Sequence, residues 1–261
     1  MTFTNAPVTQ LAVLGLVSGS VLTSLSDVKH YFYILIDTHL WRYRQLWRLL
    51  AYQLCYVNSA EVLFAAMSVY NLRPVERMWG SRKYASFLVV SYLLAALLCP
   101  LVMVVLRPVS VDLFNYVPPG PTPVIFAVLA QFYAMVPHTY KFRVATSHDA
   151  SSGLTLSDKS YQYLVAFHLS LLQWPGSIVG AIVGWLIGHA WRGGVLPASL
   201  VTWRLPGWMV GTGTQGGGSA EFEGLRRRLE GEERAVSTAI QGQPGGSQVD
   251  RRRPRGGRSG G

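Results

Sequence analysis

Between Tyr84 and Leu106 the chain runs for 23 residues without a charged side chain. A helix of about 20 residues crosses the hydrocarbon core of a bilayer, and the core of a small soluble domain has no use for so long a run. Further apolar runs cover 10–26, 53–72, 122–138, 160–174 and 176–192, so the chain reads as six spans. The fold class expected is an all-α polytopic membrane bundle. Composition agrees, with 50% of residues hydrophobic and 14% charged, against about a quarter charged in soluble domains. Several runs are short for a typical bilayer, which suits a thinner membrane such as that of the endoplasmic reticulum. The first run reads as a retained span and not a cleaved signal, because no Lys or Arg precedes Lys29. Cys55 and Cys99 both fall within runs and read as small core residues.

The net charge of +10 is concentrated in two places. Residues 73–83 carry Arg73, Arg77, Arg82 and Lys83 against Glu76, and the C-terminal region carries Arg226 to Arg228, Arg234, Arg251 to Arg253, Arg255 and Arg258. Positive charge flanking spans marks the cytosolic face. Both segments are therefore expected there, and an even number of spans brings the N-terminus to the same side. Residues 27–48, "DVKHYFYILIDTHLWRYRQLWR", break the pattern with Lys29, Arg42, Arg44 and Arg48 on the lumenal side. Their aromatic content suits a segment lying in the membrane interface. The polar stretch 139–159 reads as a flexible cytosolic connection, with Ser157 or Ser160 capping the next span. Two domains are expected: a membrane domain over 1–203 and a Gly/Arg-rich cytosolic tail over 204–261. The tail reads as mostly disordered and solvated, with a short helix over 221–235, and no nucleic-acid partner is assigned to it.

One run carries glycine at every fourth position: Gly176, Gly180, Gly184 and Gly188. Each costs an exposed helix about 1 kcal/mol relative to alanine. Residues four apart share one helix face, so the four draw a groove into which a second backbone can settle. Packing of that kind drives helix association in lipid. The two middle glycines, Gly180 and Gly184, are expected to tolerate bulk least. Glu61, beside Asn58 and Ser59 near the lumenal end of its span, is a functional candidate because an intramembrane carboxylate is costly, the other reading being that so near the interface it simply reaches water. Gln131 and His168 read as interhelical hydrogen-bonders and His189 as an interfacial histidine. Metal-ligand spacing is not seen, and no cofactor or small-molecule substrate is indicated.

The pair Trp47–Arg48 precedes the second run, which closes with "VERMWGSRK" at 75–83. This arrangement resembles the rhomboid intramembrane protease superfamily, in which a Trp-Arg interfacial loop and an E-R-x-x-G-S turn bracket the second helix. Trp47, Arg48, Glu76, Arg77 and Gly80 match those motifs, and the glycine ladder resembles the sixth rhomboid helix, which packs on the fourth. The resemblance implies a six-helix rhomboid-like bundle in which the partner of the ladder is the span at 122–138. It also locates the catalytic positions. The serine of the family's G-x-S-G turn falls on Thr122 within Gly120-Pro121-Thr122-Pro123, and the base falls on Ser177. The oxyanion donors fall on Cys55, Ala60 and Phe64. A chain without the Ser/His dyad has no route to hydrolysis, so the resemblance implies a pseudoprotease and not an enzyme.

The stretches "YNLRPVERMWGSRKYASFLV", "SDKSYQYL" and "LPGWM" narrow the likeness. They are similar to the inactive rhomboids that comprise the ubiquitin-associated-domain-containing proteins and the second subunits of fungal Dsc E3 ubiquitin ligase complexes. The resemblance implies a subunit that recruits or orients transmembrane substrates for ubiquitin-dependent degradation. Its implied setting is the endoplasmic reticulum or Golgi membrane, with both termini cytosolic. Implied partners are RING ligase subunits, UBX-type or AAA ATPase-recruiting factors, substrate helices and the bilayer itself. The other role for such a fold is that of a derlin-like retrotranslocation factor. No Met-Gly-Phe/Tyr loop of a ubiquitin-associated domain follows residue 210, so direct ubiquitin binding is not expected of these residues.

Overall fold

The computed structural model describes residues 6–108, 113–136, 140–145, 153–157 and 159–206. The chain divides into units Met1–Thr212 and Gly213–Gly261, and the second lies wholly outside the described residues, as does the helix expected over 221–235. The first unit is mostly helical. Each apolar run carries a helix: α1 (Pro7–Leu25), α3 (Ser59–Asn71), α5 (Ser81–Leu106), α6 (Thr122–Met135), α7 (Ser160–Leu171) and α8 (Gly176–Arg192). Among the described residues, α1 and α5 are long and apolar enough to cross a membrane on their own, and α6 is a shorter apolar helix. Short helices α2 (Arg48–Ala51), α4 (Arg73–Trp79) and α9 (Ala198–Thr202) complete the helical set.

Helix limits follow local chemistry. The second run was expected to be helical from residue 53, yet α3 begins at Ser59. The Asn58 side chain accepts the Ala60 N–H at 3.2 Å and caps it there. Pro74 sits in the first turn of α4 and disfavours helical backbone at the residue before it, which separates α4 from α3. Gly80, at φ +80°, makes the turn between α4 and α5. α7 starts after Lys159 without a side-chain cap, contrary to the expectation for Ser157 or Ser160. The Ser160 hydroxyl instead accepts the Ser157 N–H at 3.0 Å.

Within the stretch expected to be a flexible connection, the described residues 141–145 and 153–157 form strands. Strands β3 (Lys141–Ala145) and β4 (Gly153–Ser157) pair antiparallel with Phe142 opposite Leu156 and Val144 opposite Leu154. The sequence alternates apolar and polar residues over both segments, the period-two signature of a strand.

Residues 27–48 contain no spanning helix. They run through a single 3₁₀ turn (Lys29–Tyr31), strand β1 (Ile34–Leu35) and a π-helical stretch (Ile36–Arg42). β1 pairs antiparallel with β2 (Tyr116–Val117). An Arg107–Asp37 bridge at 2.6 Å and the Asp37 N–H to Asn115 Oδ1 at 3.1 Å fasten the same join. The segment before α2 is thus tied to the connection between α5 and α6. At the centre of the unit α8 packs along α6, its most extensive helix pairing, and also on α5. Edge-to-face stacking of Trp79 on Phe87 and Phe87 on Trp191 fills the other side of that contact.

Candidate functional site

Three elements converge on the start of α6. Gly120 adopts φ +125°, and its N–H donates to the Tyr52 carbonyl at 2.7 Å. The Tyr56 ring lies so close to the Gly120 α-carbon that any side chain there would collide with it. The hydroxyl of Tyr56 shares a 2.9 Å hydrogen bond with Thr122 Oγ1. Thr122 is 6% exposed and Ser177, on α8, is 2% exposed. Both line one cavity of only about 10 Å³ between α6 and α8, about the least that holds a single water. Tyr52, Cys99, Pro118, Pro123 and Gly176 are among its walls, and no carboxylate, imidazole or amine lines it. The arrangement holds the start of α6 shut with a tyrosine, and the Thr122 hydroxyl has an alcohol as its partner instead of a base.

The positions matched to oxyanion donors lie elsewhere. Cys55 is a buried free thiol beside Gly19 of α1. Phe64 stacks on the ring of His168 at 4.4 Å. His168 was read as a hydrogen-bonder; it meets α3 through this ring contact. Gln131 does hydrogen-bond between helices, its amide donating to the Gly188 carbonyl at 2.5 Å. His189 is twelve residues beyond Ser177, about 18 Å along a helix. It is exposed, with its ring 5.1 Å from that of Trp185.

The glycine face of α8 is graded. A methyl at Gly184 would overlap the Pro123 backbone, one at Gly188 would fall 2.6 Å from the Ala127 carbonyl oxygen, and one at Gly176 would strike the Pro118 ring. Gly180 differs from the expectation placed on it: a methyl there meets Pro123 Cγ at 3.4 Å, an ordinary contact. Gly184 and Gly188 are tight where α6 backbone crosses the ladder, Gly176 is tight against the connection that precedes α6, and the proline ring at Gly180 leaves room.

The motif residues form two further structures. Glu76 is fully buried, and its carboxylate accepts the Val8 N–H at 2.9 Å, the Thr9 N–H at 2.7 Å, the Thr9 hydroxyl at 2.6 Å and the Ser81 hydroxyl at 2.8 Å. It therefore supplies the acceptor that the first turn of α1 lacks. Arg77, the next residue, is exposed. Arg48 is 6% exposed and donates to Gln45 Oε1 at 2.6 Å and to the carbonyls of His30, Tyr31 and Tyr33 at 2.9, 3.2 and 3.2 Å. The Trp47 and Tyr31 rings lie 5.3 and 5.8 Å from its guanidinium. Beside this cage, His39 Nδ1 accepts the Leu35 N–H at 3.0 Å. Burial, then the Arg48 charge, lowers the pKa of His39.

Glu61 is 1% exposed in the first turn of α3, and its Oε2 has no hydrogen-bond partner among the described residues. Burial first, then the Glu61 carboxylate and the Tyr33 hydroxyl, push Tyr116 up to about 12. Among the described residues no group of three or more His, Cys, Asp or Glu is placed to hold a metal. Sequence reasoning missed Tyr56, whose role depends on a glycine far along the chain. The "YQLCY" spacing, two tyrosines four apart before an asparagine cap, was the available signal.

Comparison with known proteins agrees with the resemblance read from the motifs. The chain is 32% identical over 202 residues to the DSC E3 ubiquitin ligase complex subunit 2 of Schizosaccharomyces pombe, covering 77% of this chain and 52% of that one. It is 26% identical over 190 residues to Rhomboid-like protein 18 of Arabidopsis thaliana, covering 73% and 62%. To Ubiquitin-associated domain-containing protein 2 of Mus musculus it is 28% identical over 169 residues, covering 64% and 46%. The chain spans about half the length of the curated relatives it matches. No solved structure matches it. Residues 10–192 match the family described as eukaryotic integral membrane protein (DUF1751), and the chain belongs to that family.

Proposed function

We propose that this chain is a catalytically inactive, rhomboid-like subunit of a membrane-embedded E3 ubiquitin ligase complex, recruiting or orienting transmembrane substrates for degradation. The observation that carries the inactive reading is the start of α6. There Tyr56 occupies the space over Gly120, Thr122 pairs with a tyrosine hydroxyl, and the adjoining cavity has no base among its walls. Acyl transfer needs an activated nucleophile within reach of a base and room for the scissile carbonyl, and this site offers none of these. Similarity to a ligase-complex subunit over most of the chain supports the assignment to such a complex.

In this reading the helices α1, α3, α5, α6, α7 and α8 are the six spans, the short ones making a thin membrane region around the subunit. Both termini face the cytosol at the endoplasmic reticulum or Golgi membrane. RING subunits and factors that recruit an AAA ATPase are the partners. The membrane surface is where clients are met, because a client helix with polar residues lowers its cost by leaving bulk lipid.

Affinity purification of the full chain from mild detergent, followed by mass spectrometry, tests the assignment. Co-purifying RING ligase subunits support it, and an AAA ATPase without them would replace it with the derlin-like role. Incubation with a rhomboid substrate tests inactivity. Cleavage that is abolished by Thr122→Ala would overturn it.

A further inference from the structure

A groove of about 540 Å³ lies between α1 and α5, with residues of α3 and α6 also among its walls. The site at the start of α6 does not account for it. Its walls are apolar, and one polar side chain there is only half satisfied. Gln53 is 1% exposed, and its amide donates to the Tyr92 carbonyl at 3.2 Å. Its Oε1 has no hydrogen-bond partner among the described residues. A buried amide oxygen left without a donor is costly, and most such groups in native proteins have a partner.

Depth identifies the kind of donor. Tyr92 is eleven residues beyond Ser81, about 16 Å along α5 at 1.5 Å per residue. Half the hydrocarbon core is about 15 Å, so Gln53 lies near the midplane when the 73–83 turn lies at the cytosolic face. Lipids of either leaflet keep their polar groups at the surface and bring only hydrocarbon to that depth. A transmembrane helix brings side chains of any kind there.

The α1 wall fits a helix as well. Gly15 and Gly19 are four apart on α1. A methyl added at Gly19 would lie 3.0 Å from Cys55 Sγ, so that glycine is already engaged by the fold, whereas one added at Gly15 would meet nothing within 4 Å. Gly15 lines the groove with Ala12, two small residues at which a second backbone can approach closely.

We propose that the groove between α1 and α5 seats a transmembrane helix carrying an uncharged hydrogen-bond donor, Asn, Gln, Ser or Thr, near its middle, which donates to Gln53 Oε1. This rests on the proposed function only in taking transmembrane clients as partners.

The test uses the full chain in lipid nanodiscs with a photo-crosslinking residue at Leu93 in the groove wall, or at Phe167 on the exposed face of α7 as control. The probes are synthetic poly-leucine single-span helices, with or without one central Asn. Leu93 is expected to label the Asn helix about three- to tenfold more than the all-leucine helix, the range an interhelical hydrogen bond in lipid supports. Phe167 is expected to label both equally. Gln53→Leu removes the preference and keeps the all-leucine labelling, and Gly15→Leu, which fills open space, lowers labelling by both helices.

Equal labelling of the two helices from Leu93 would overturn the proposal on the unmodified protein, whatever the variants do. So would a preference that survives Gln53→Leu, or a photoreactive lipid at Leu93 that neither helix displaces. No ligase subunit is present in this assay. Its failure therefore removes the groove alone, whereas purification without ligase partners removes the proposed function and leaves the groove result standing.

Discussion

Both oxygens of Glu76 are committed to other elements: two backbone N–H groups and a hydroxyl of α1, and the Ser81 hydroxyl of α5. Glu76→Ala leaves those donors buried without an acceptor. Loss of a helix cap together with unpaired donors is expected to cost about 2–4 kcal/mol. Thermal unfolding in mild detergent measures it, and Thr9→Val, which removes one of the four bonds, should lose only part of the effect. The α8 glycines offer a second comparison at this scale. Gly184→Ala puts a methyl into the Pro123 backbone and is expected to cost about 1–3 kcal/mol as overpacking. Gly180→Ala has space and gains helix propensity, so it should be neutral or stabilise by up to about 1 kcal/mol. An equal loss at both positions would mean that α8 does not rest on α6 as described.

Among the elements, residues 27–48 are the least regular and depend most on one side chain. Arg48→Ala removes the donor that gathers the carbonyls of His30, Tyr31 and Tyr33. Faster amide exchange is expected across 29–47, with little change in α5 or α8. Arg48→Lys should rescue poorly, since one ammonium cannot reproduce the guanidinium fork. His39 adds a pH dependence with a definite sign. Its pKa is lowered in the folded chain, so the unfolded state binds more protons and stability falls as pH falls. The stabilisation is present above the unfolded value of about 6.5 and is lost as pH drops through the lower folded value. Amide protection factors across 34–42, which remove the intrinsic slowing of exchange in acid, should therefore fall between neutral and mildly acidic pH, and His39→Gln should flatten the response. The six main helices were legible because an apolar run marks its own position: 122–138 contains α6 and 84–106 lies within α5. The Arg48 cage was not, because carbonyls leave no mark in a sequence. Nor was the carboxylate cap of α1, whose partners stand 67 residues apart. The paired strands 141–145 and 153–157 were visible as alternation but were hidden by a polar composition that reads as loop.

At the scale of the whole molecule, the Glu76 contact ties the start of α1 to the turn before α5, so both must lie on one membrane face. In the proposed topology the arginines of 73–83 put that face in the cytosol. Glycosylation tags at the N-terminus and beyond residue 206 are expected to stay unmodified, while a tag within 107–119 is modified. Modification of both the N-terminal tag and the tag beyond residue 206 would reverse the orientation. The same contact sets an order for biosynthesis. α1 leaves the ribosome well before its cap exists, and at about 5–20 residues per second the 67 intervening residues take about 3–13 s to make. In the proposed topology the first helix waits in the membrane for that interval with its leading amides unanswered. In that topology its insertion is expected to become final only when α4 brings a carboxylate back to the same surface, so a nascent chain stalled before residue 76 should remain extractable where one stalled beyond residue 106 does not.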